Sequence, residues 1–277
     1  MSAVAASERI RVRIRFAKTG KIRWTSHRDV ARMWERAFRR IKLPLAYSEG
    51  FSPRPKVSFG LALPTGYESV AEYIDVELVG KIDVAALPHR LSAALPEGVE
   101  ASAAQVIPAG TPSLQEEVTS CTWRWAVVPS EGANPVSGED LEARVARCME
   151  ATELPVTRSR KGAEQTDDIR PSIISIKLEG PAGRSNVMEG PAGPSNVMEG
   201  PDGLSDSGGF WLVGELACQP RSIRPSEVTL ALGPGLEERL PRRLHQWIWR
   251  DGARTEPLVI EGRSGAIGAR HAEVRAS

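Results

Sequence analysis

Cysteine is scarce in this chain, with three in 277 residues, at positions 121, 148 and 218. No Cys-x-x-Cys pair occurs, and no three-cysteine cluster that would hold an iron–sulfur centre. An odd, dispersed set reads as reduced, mostly buried thiols and not as a disulfide framework. The four histidines, at 27, 89, 245 and 271, lack the spacing of a metal site. Phosphate-loop and dinucleotide glycine fingerprints are absent as well. No apolar run approaches the roughly 20 residues that a membrane span needs. Met1 to Ser7 carries no basic-then-apolar signal, so the expected location is cytoplasmic, with no membrane role.

What the chain does have is charge, unevenly placed. The net charge is only +1. Residues 1–60 nevertheless hold 15 Lys or Arg against 4 Asp or Glu, and the other 217 residues hold 21 against 31. A basic end on an acidic body favours a polyanion partner or self-association. The basic residues are mostly arginine, which codon bias alone can produce.

Arg9 to Phe16 alternates strictly. Ile10, Val12, Ile14 and Phe16 should face a core, with Arg9, Arg11, Arg13 and Arg15 on the other side. Ser26-His27-Arg28-Asp29 starts a helix, with Ser26 as cap and Asp29 in the first turn. Val30, Met33, Trp34, Ala37, Phe38 and Ile41 form its apolar stripe. A loop over Tyr47–Lys56 leads to strands near Val57–Leu61 and Ala71–Val79, which turn around Pro64-Thr65-Gly66. A helical segment over Val84–Leu95 and a strand over Val99–Ile107 complete the unit. The order strand, helix, strand, strand, helix, strand is the ferredoxin-like one, shared with RNA-recognition folds.

Residues 108–120 read as a linker. The pattern then recurs, with a strand at Thr122–Val128 and a helix begun by Ser137-Gly-Glu-Asp140. Strands at Pro155–Arg160, Ile169–Leu178 and Phe210–Ala217 follow, and a short helix after Arg224-Pro225. The expected fold class is α+β, as tandem ferredoxin-like (βαββαβ) domains: 8–107 basic, 121–260 second. A nearly exact ten-residue repeat, rich in Gly and Pro, lies within a 179–208 insert that reads as flexible. Residues 261–277 read as a disordered tail.

The arginine ladder on the first strand is either a phosphate-binding face or the partner of Asp75 and Glu77 on the adjacent strand. Cations with no obvious acid nearby make sharper RNA-binding candidates: Lys18, Lys21, Arg23, Arg39, Arg40, Arg54 and Lys56, joined by Arg28. Pro53-Arg54-Pro55-Lys56 stiffens its own backbone, and Tyr47 and Phe51 beside it can stack on bases. Arg158, Arg160, Lys161 and Arg170 either extend this track or pair across a turn. Arg242, Arg243 and Arg250 around Trp247 and Trp249 read as a basic, aromatic helix end that either binds a partner or covers the core. His27 is the one histidine of the basic end and the one candidate acid–base group, with Tyr47 a conceivable second. No catalytic set is otherwise visible, and no metal or cofactor is expected in this chain.

Phe16-Ala-Lys-Thr-Gly-Lys-Ile-Arg-Trp-Thr-Ser-His-Arg-Asp29, Tyr47-Ser-Glu-Gly-Phe-Ser-Pro-Arg-Pro-Lys56 and Gly60-Leu-Ala-Leu-Pro-Thr-Gly66 together resemble the radical-SAM-associated (radical SAM-linked) protein family. Glu72-Tyr-Ile-Asp-Val-Glu77, Lys161, Asp168-Ile-Arg-Pro171 and Arg224-Pro225 continue the likeness, which spans roughly 8 to 260 without the repeat. The resemblance implies a stand-alone or fused companion of a B12-binding radical SAM protein, encoded near ribonuclease E/G and ribosomal proteins. That partner would carry the iron–sulfur cluster, SAM and cobalamin. More distantly, the first unit is similar to the RNA-binding fold of CRISPR RAMP endoribonucleases, which implies RNA contact more than cleavage; no DNA partner is expected. The resulting expectation is a non-catalytic accessory protein that binds structured RNA (tRNA or rRNA). A metal-independent endoribonuclease and a protein-interaction scaffold are the alternatives.

Overall fold

The computed structural model describes residues 9–160, 162–181, 209–250 and 252–258. The fold is α+β. In the first half β1 (Arg9–Lys18) leads through a 3₁₀ turn (Gly20–Trp24) to α1 (His27–Arg40). β2 (Val57–Phe59), β3 (Glu68–Val79), α2 (Leu87–Ser92) and β4 (Val99–Ile107) follow. In the second half α3 (Leu114–Glu117), β5 (Val118–Pro129) and α4 (Gly138–Glu150) precede a hairpin of β6 (Pro155–Arg160) and β7 (Ala163–Asp168). A 3₁₀ turn (Arg170–Ser172), β8 (Ile173–Pro181), β9 (Phe210–Ala217), α5 (Pro225–Ala231), β10 (Leu236–Arg250) and β11 (Ala253–Thr255) complete it. Among the described residues, no helix is long and apolar enough to cross a membrane.

Nine strands make one mixed sheet in the order β4-β1-β3-β10-β5-β9-β8, with β2 on β3 and β11 on β10. Each half runs antiparallel internally, β4-β1-β3-β2 and β10-β5-β9-β8. The halves meet where Glu68 and Ser69 of β3 pair in parallel with Arg242 and Arg243 of β10. The repeat insert falls mainly on residues 182–208 and the tail on 261–277, both outside the described residues.

The alternation of β1 sets its register. Val12, Ile14 and Phe16 are buried with Ile74, Val76 and Leu78 of β3 and with Val30, Trp34 and Phe38 of α1. Phe16 meets Trp34 edge-on at 4.9 Å. Burying each such side chain contributes about 1.5–3 kcal/mol. The second core gathers Trp125, Leu141, Leu212 and Leu216 beneath α4 and α5.

Several expectations change. The β1 arginines do not form an open face: Arg13 and Arg15 are 2% and 5% exposed. Chain segments from the other half cover them, because Arg11 donates to the Thr111 carbonyl, Arg13 to that of Pro257, and Arg15 pairs with Glu256. The 108–120 stretch is not a plain linker. Ser113 and Glu116 form a capping box, and Leu114 and Val118 are buried. Pro155–Arg160 leaves the main sheet for the β6–β7 hairpin. Residues 242–250 belong to a strand, not a helix. Bulges in β10, where Leu240 takes a φ of 47°, accommodate Pro241 and disturb the period of two.

Candidate nucleic-acid interface

Ser26 caps α1: its Oγ accepts from the Asp29 N–H at 3.2 Å and donates to the Asp29 carboxylate at 2.7 Å. With that bond and with Arg32 and Arg28 nearby, the Asp29 carboxyl is held below its usual range. The apolar stripe turned inward leaves Arg28, Arg32, Arg36, Arg39 and Arg40 exposed. Arg28, Arg32, Arg36 and Arg40 are four residues apart, so their Cα atoms rise about 6 Å from one to the next along the helix. Arg32 pairs with Asp29 at 3.1 Å, and Arg40 donates to the Ala94 carbonyl. Arg28, Arg36 and Arg39 make no ion pair among the described residues.

At the amino end of this stripe the 3₁₀ turn presents Lys21, also exposed, and Trp24, 65% exposed. Arg23 lies over the Trp24 ring at 5.4 Å and 3.5 Å from Glu68. Gly66 supports the indole from beneath. Its φ is +89°, and a Cβ there would come within 2.9 Å of a ring carbon, so glycine is required. Lys18 is not a surface cation. It is 3% exposed and donates to the carbonyls of Arg23 and Thr25, which ties the turn down. Burial lowers its pKa, opposed by Glu72.

The Tyr47–Lys56 loop is a short hairpin. Ser48 N–H donates to the Arg54 carbonyl, Arg54 N–H to Ser48 Oγ, and Tyr47 bridges Pro55. This framework holds Phe51 completely in solvent beside exposed Arg54, with Tyr47 half exposed. Lys56 is not free, because it pairs with Glu77 at 2.9 Å.

His27 stands at the mouth of a cleft between α1, β1 and β3, with its ring edge-on to Phe59 at 5.0 Å. Lys18 and Glu72 are the charged groups lining it. The cleft is shallow, with about 20 Å³ open to the centre of a water molecule. No hydrogen bond joins His27 to a second titratable group among the described residues.

Two candidates of the second half, Arg170 and Arg158, make contacts within the fold. Arg170 donates to the carbonyls of Met149, Ala151 and Ile173, closing the carboxyl end of α4. Arg158 pairs across its hairpin with Asp167, which also takes Arg221. Lys161 and the Arg160 side chain lie outside the described residues. Among the described residues no three His, Cys, Asp or Glu side chains converge as metal ligands would.

A family model described as an uncharacterized protein conserved in bacteria (DUF2344) matches residues 11–196. The chain belongs to that family. No curated protein matches it. The matched stretch includes α1, the 3₁₀ turn and the Tyr47–Lys56 hairpin, so Lys21, Trp24, the α1 arginines, Tyr47, Phe51 and Arg54 lie within the family region.

Sequence reasoning missed two features of this region. It did not separate cations that end on carbonyls, such as Lys18, from cations left to solvent, because carbonyl partners leave no sequence pattern. It also overlooked Trp24 as an exposed ring, although Gly66 and the Gly20 turn were legible.

Proposed function

We propose that this protein is a non-catalytic RNA-binding accessory protein of a B12-type radical SAM enzyme, built from two ferredoxin-like units joined through β3 and β10. The observation that carries the RNA reading is the set of Arg28, Arg36 and Arg39 on the solvent face of α1, none of them in an ion pair among the described residues, with Asp29 and Glu35 the exposed acids of the same helix. Arg28 and Arg36 lie about 12 Å apart along the helix axis, with Arg39 nearly one turn further on, and cations spread in this way along a helix can contact successive phosphates. Exposed aromatic rings supply stacking platforms for unpaired bases: Trp24 lies near the amino end of the stripe, and Tyr47 and Phe51 lie on the following hairpin. Structured RNA with accessible loop bases, as in tRNA or rRNA, offers both features. The radical SAM partner rests on the family resemblance of the sequence motifs.

Crosslinking the purified protein to cellular RNA, followed by sequencing, tests the reading. The control is the triple variant Arg28→Glu, Arg36→Glu, Arg39→Glu, whose side chains support no core contact. One enriched tRNA or rRNA region that disappears in the variant is the expected result. No enrichment over background overturns it and redirects the basic stripe to an acidic protein surface.

A further inference from the structure

Cys121 and Cys218 are separated by 97 residues, yet their sulfurs lie 3.4 Å apart. Cys121 sits on β5 opposite Leu216 of β9, and the Cys218 N–H donates to the Thr119 carbonyl at 2.8 Å. The two thiols are therefore diagonal neighbours on one face of the antiparallel pair. The pair is asymmetric. Cys121 is 1% exposed, whereas Cys218 lies one residue past the end of β9 and is partly exposed, followed by exposed Gln219 and Pro220.

The surroundings favour one thiolate. The buried guanidinium of Arg243, stacked 4.7 Å over Trp123, adds positive charge near both sulfurs. A hydrogen bond from Cys121 draws the Cys218 thiol pKa down, while burial pushes that of Cys121 well up. Cys148 lies apart under α5, donating to the Ala231 carbonyl, and burial raises it too.

We propose that Cys121 and Cys218 form a peroxide-responsive dithiol in which Cys218 attacks and Cys121 resolves. The Cys218 thiolate attacks one oxygen of a hydroperoxide, the O–O bond breaks, and sulfenic acid forms with release of hydroxide or alkoxide. The Cys121 sulfur then attacks the sulfenic sulfur. Its proton leaves with the hydroxyl as water, and a disulfide remains. Two thiols are oxidised, and the peroxide is reduced to water, or to an alcohol and water. Closing the sulfurs to bond length needs a shift of about 1.4 Å. The bond staples β5 to β9 beside Arg243, whose guanidinium also holds the Ala62 carbonyl and, at the wall of the His27 cleft, Glu72 and the Leu61 carbonyl. This assignment is independent of RNA binding.

The test treats the full chain with hydrogen peroxide and follows it by intact mass and by differential alkylation with peptide mapping. The expected product loses about 2 Da, one disulfide's worth of hydrogen. It maps to Cys121–Cys218, leaves Cys148 alkylatable, melts at a higher temperature and reverts with a small thiol. In Cys121→Ser, a dimedone adduct should accumulate on Cys218. Cys121→Ala carries the same test if the serine variant does not fold, and the wild-type map needs no variant. Three free thiols after peroxide, or a first adduct on Cys121 or Cys148, overturns the proposal.

Discussion

Arg13 and Asp75 form a two-pronged ion pair inside the protein: Nε to Oδ1 at 2.8 Å and Nη2 to Oδ2 at 3.0 Å, with both side chains almost completely buried. Arg11 adds a third bond to the same carboxylate at 2.7 Å. The residues face each other across β1 and β3, so the ladder of arginines in the sequence is matched by an acid on the facing strand.

Removing that acid should be costly. Asp75→Asn keeps the shape but removes the bidentate partner of Arg13, leaving buried Glu117 at 3.8 Å as its remaining counterion, for a loss of at most about 3–5 kcal/mol. Urea unfolding should show it as a lower midpoint with an unchanged slope. A loss under about 1 kcal/mol would mean that water reaches the pair.

Phe51 separates stacking from charge. Phe51→Ala should weaken binding of a single-stranded oligonucleotide by about 1–3 kcal/mol. It should leave the salt dependence intact, since no phosphate contact is lost. The Arg28, Arg36 and Arg39 triple variant should instead flatten the dependence by about 0.7 in log–log slope per contact removed. Titrations at several salt concentrations resolve the two, and a changed slope in Phe51→Ala would contradict a stacking role.

Glu238 gives the protein a pH dependence. Tyr67 donates to its Oε2 at 3.0 Å, and burial raises the Glu238 carboxyl from 4.5 to about 7. The folded state therefore holds a proton that the unfolded chain releases. The associated stability is fully present below about pH 4.5 and is lost as pH rises through 7. It amounts to at most about 3 kcal/mol. Glu238→Gln should remove most of this slope between pH 5 and 8 in denaturant unfolding, and an unchanged slope would assign it to other groups.

Much of the first half was legible because its pattern is local. The alternation from Arg9 to Phe16 and the Ser26 cap need no distant partner, and Val99–Ile107 has the strand bounds that its sequence suggests. The last long strand was not legible. Arg243 and Gln246 are buried, Pro241 sits among bulges, and the mixture of charge and tryptophan imitates an exposed helix. The candidate cations divided for the same reason. Lys21, Arg28, Arg39 and Arg54 remain in solvent, while Lys18 and Arg170 end on backbone carbonyls and Arg23, Lys56 and Arg158 meet acids. The contact of Cys121 with Cys218 depends on pairing between β5 and β9, which no local spacing encodes.

The seam between β3 and β10 has a mechanical meaning. Only two residue pairs join the strands there, yet Glu72 reaches Arg243, Glu68 reaches Arg242 and Tyr67 reaches Glu238 across it. Removing either half would at once strip acids and bases in the other half of their counterions. The halves therefore cannot swivel like beads on a thread. A force or a partner that takes hold of the second half carries the arginine stripe of α1 with it as a fixed lever.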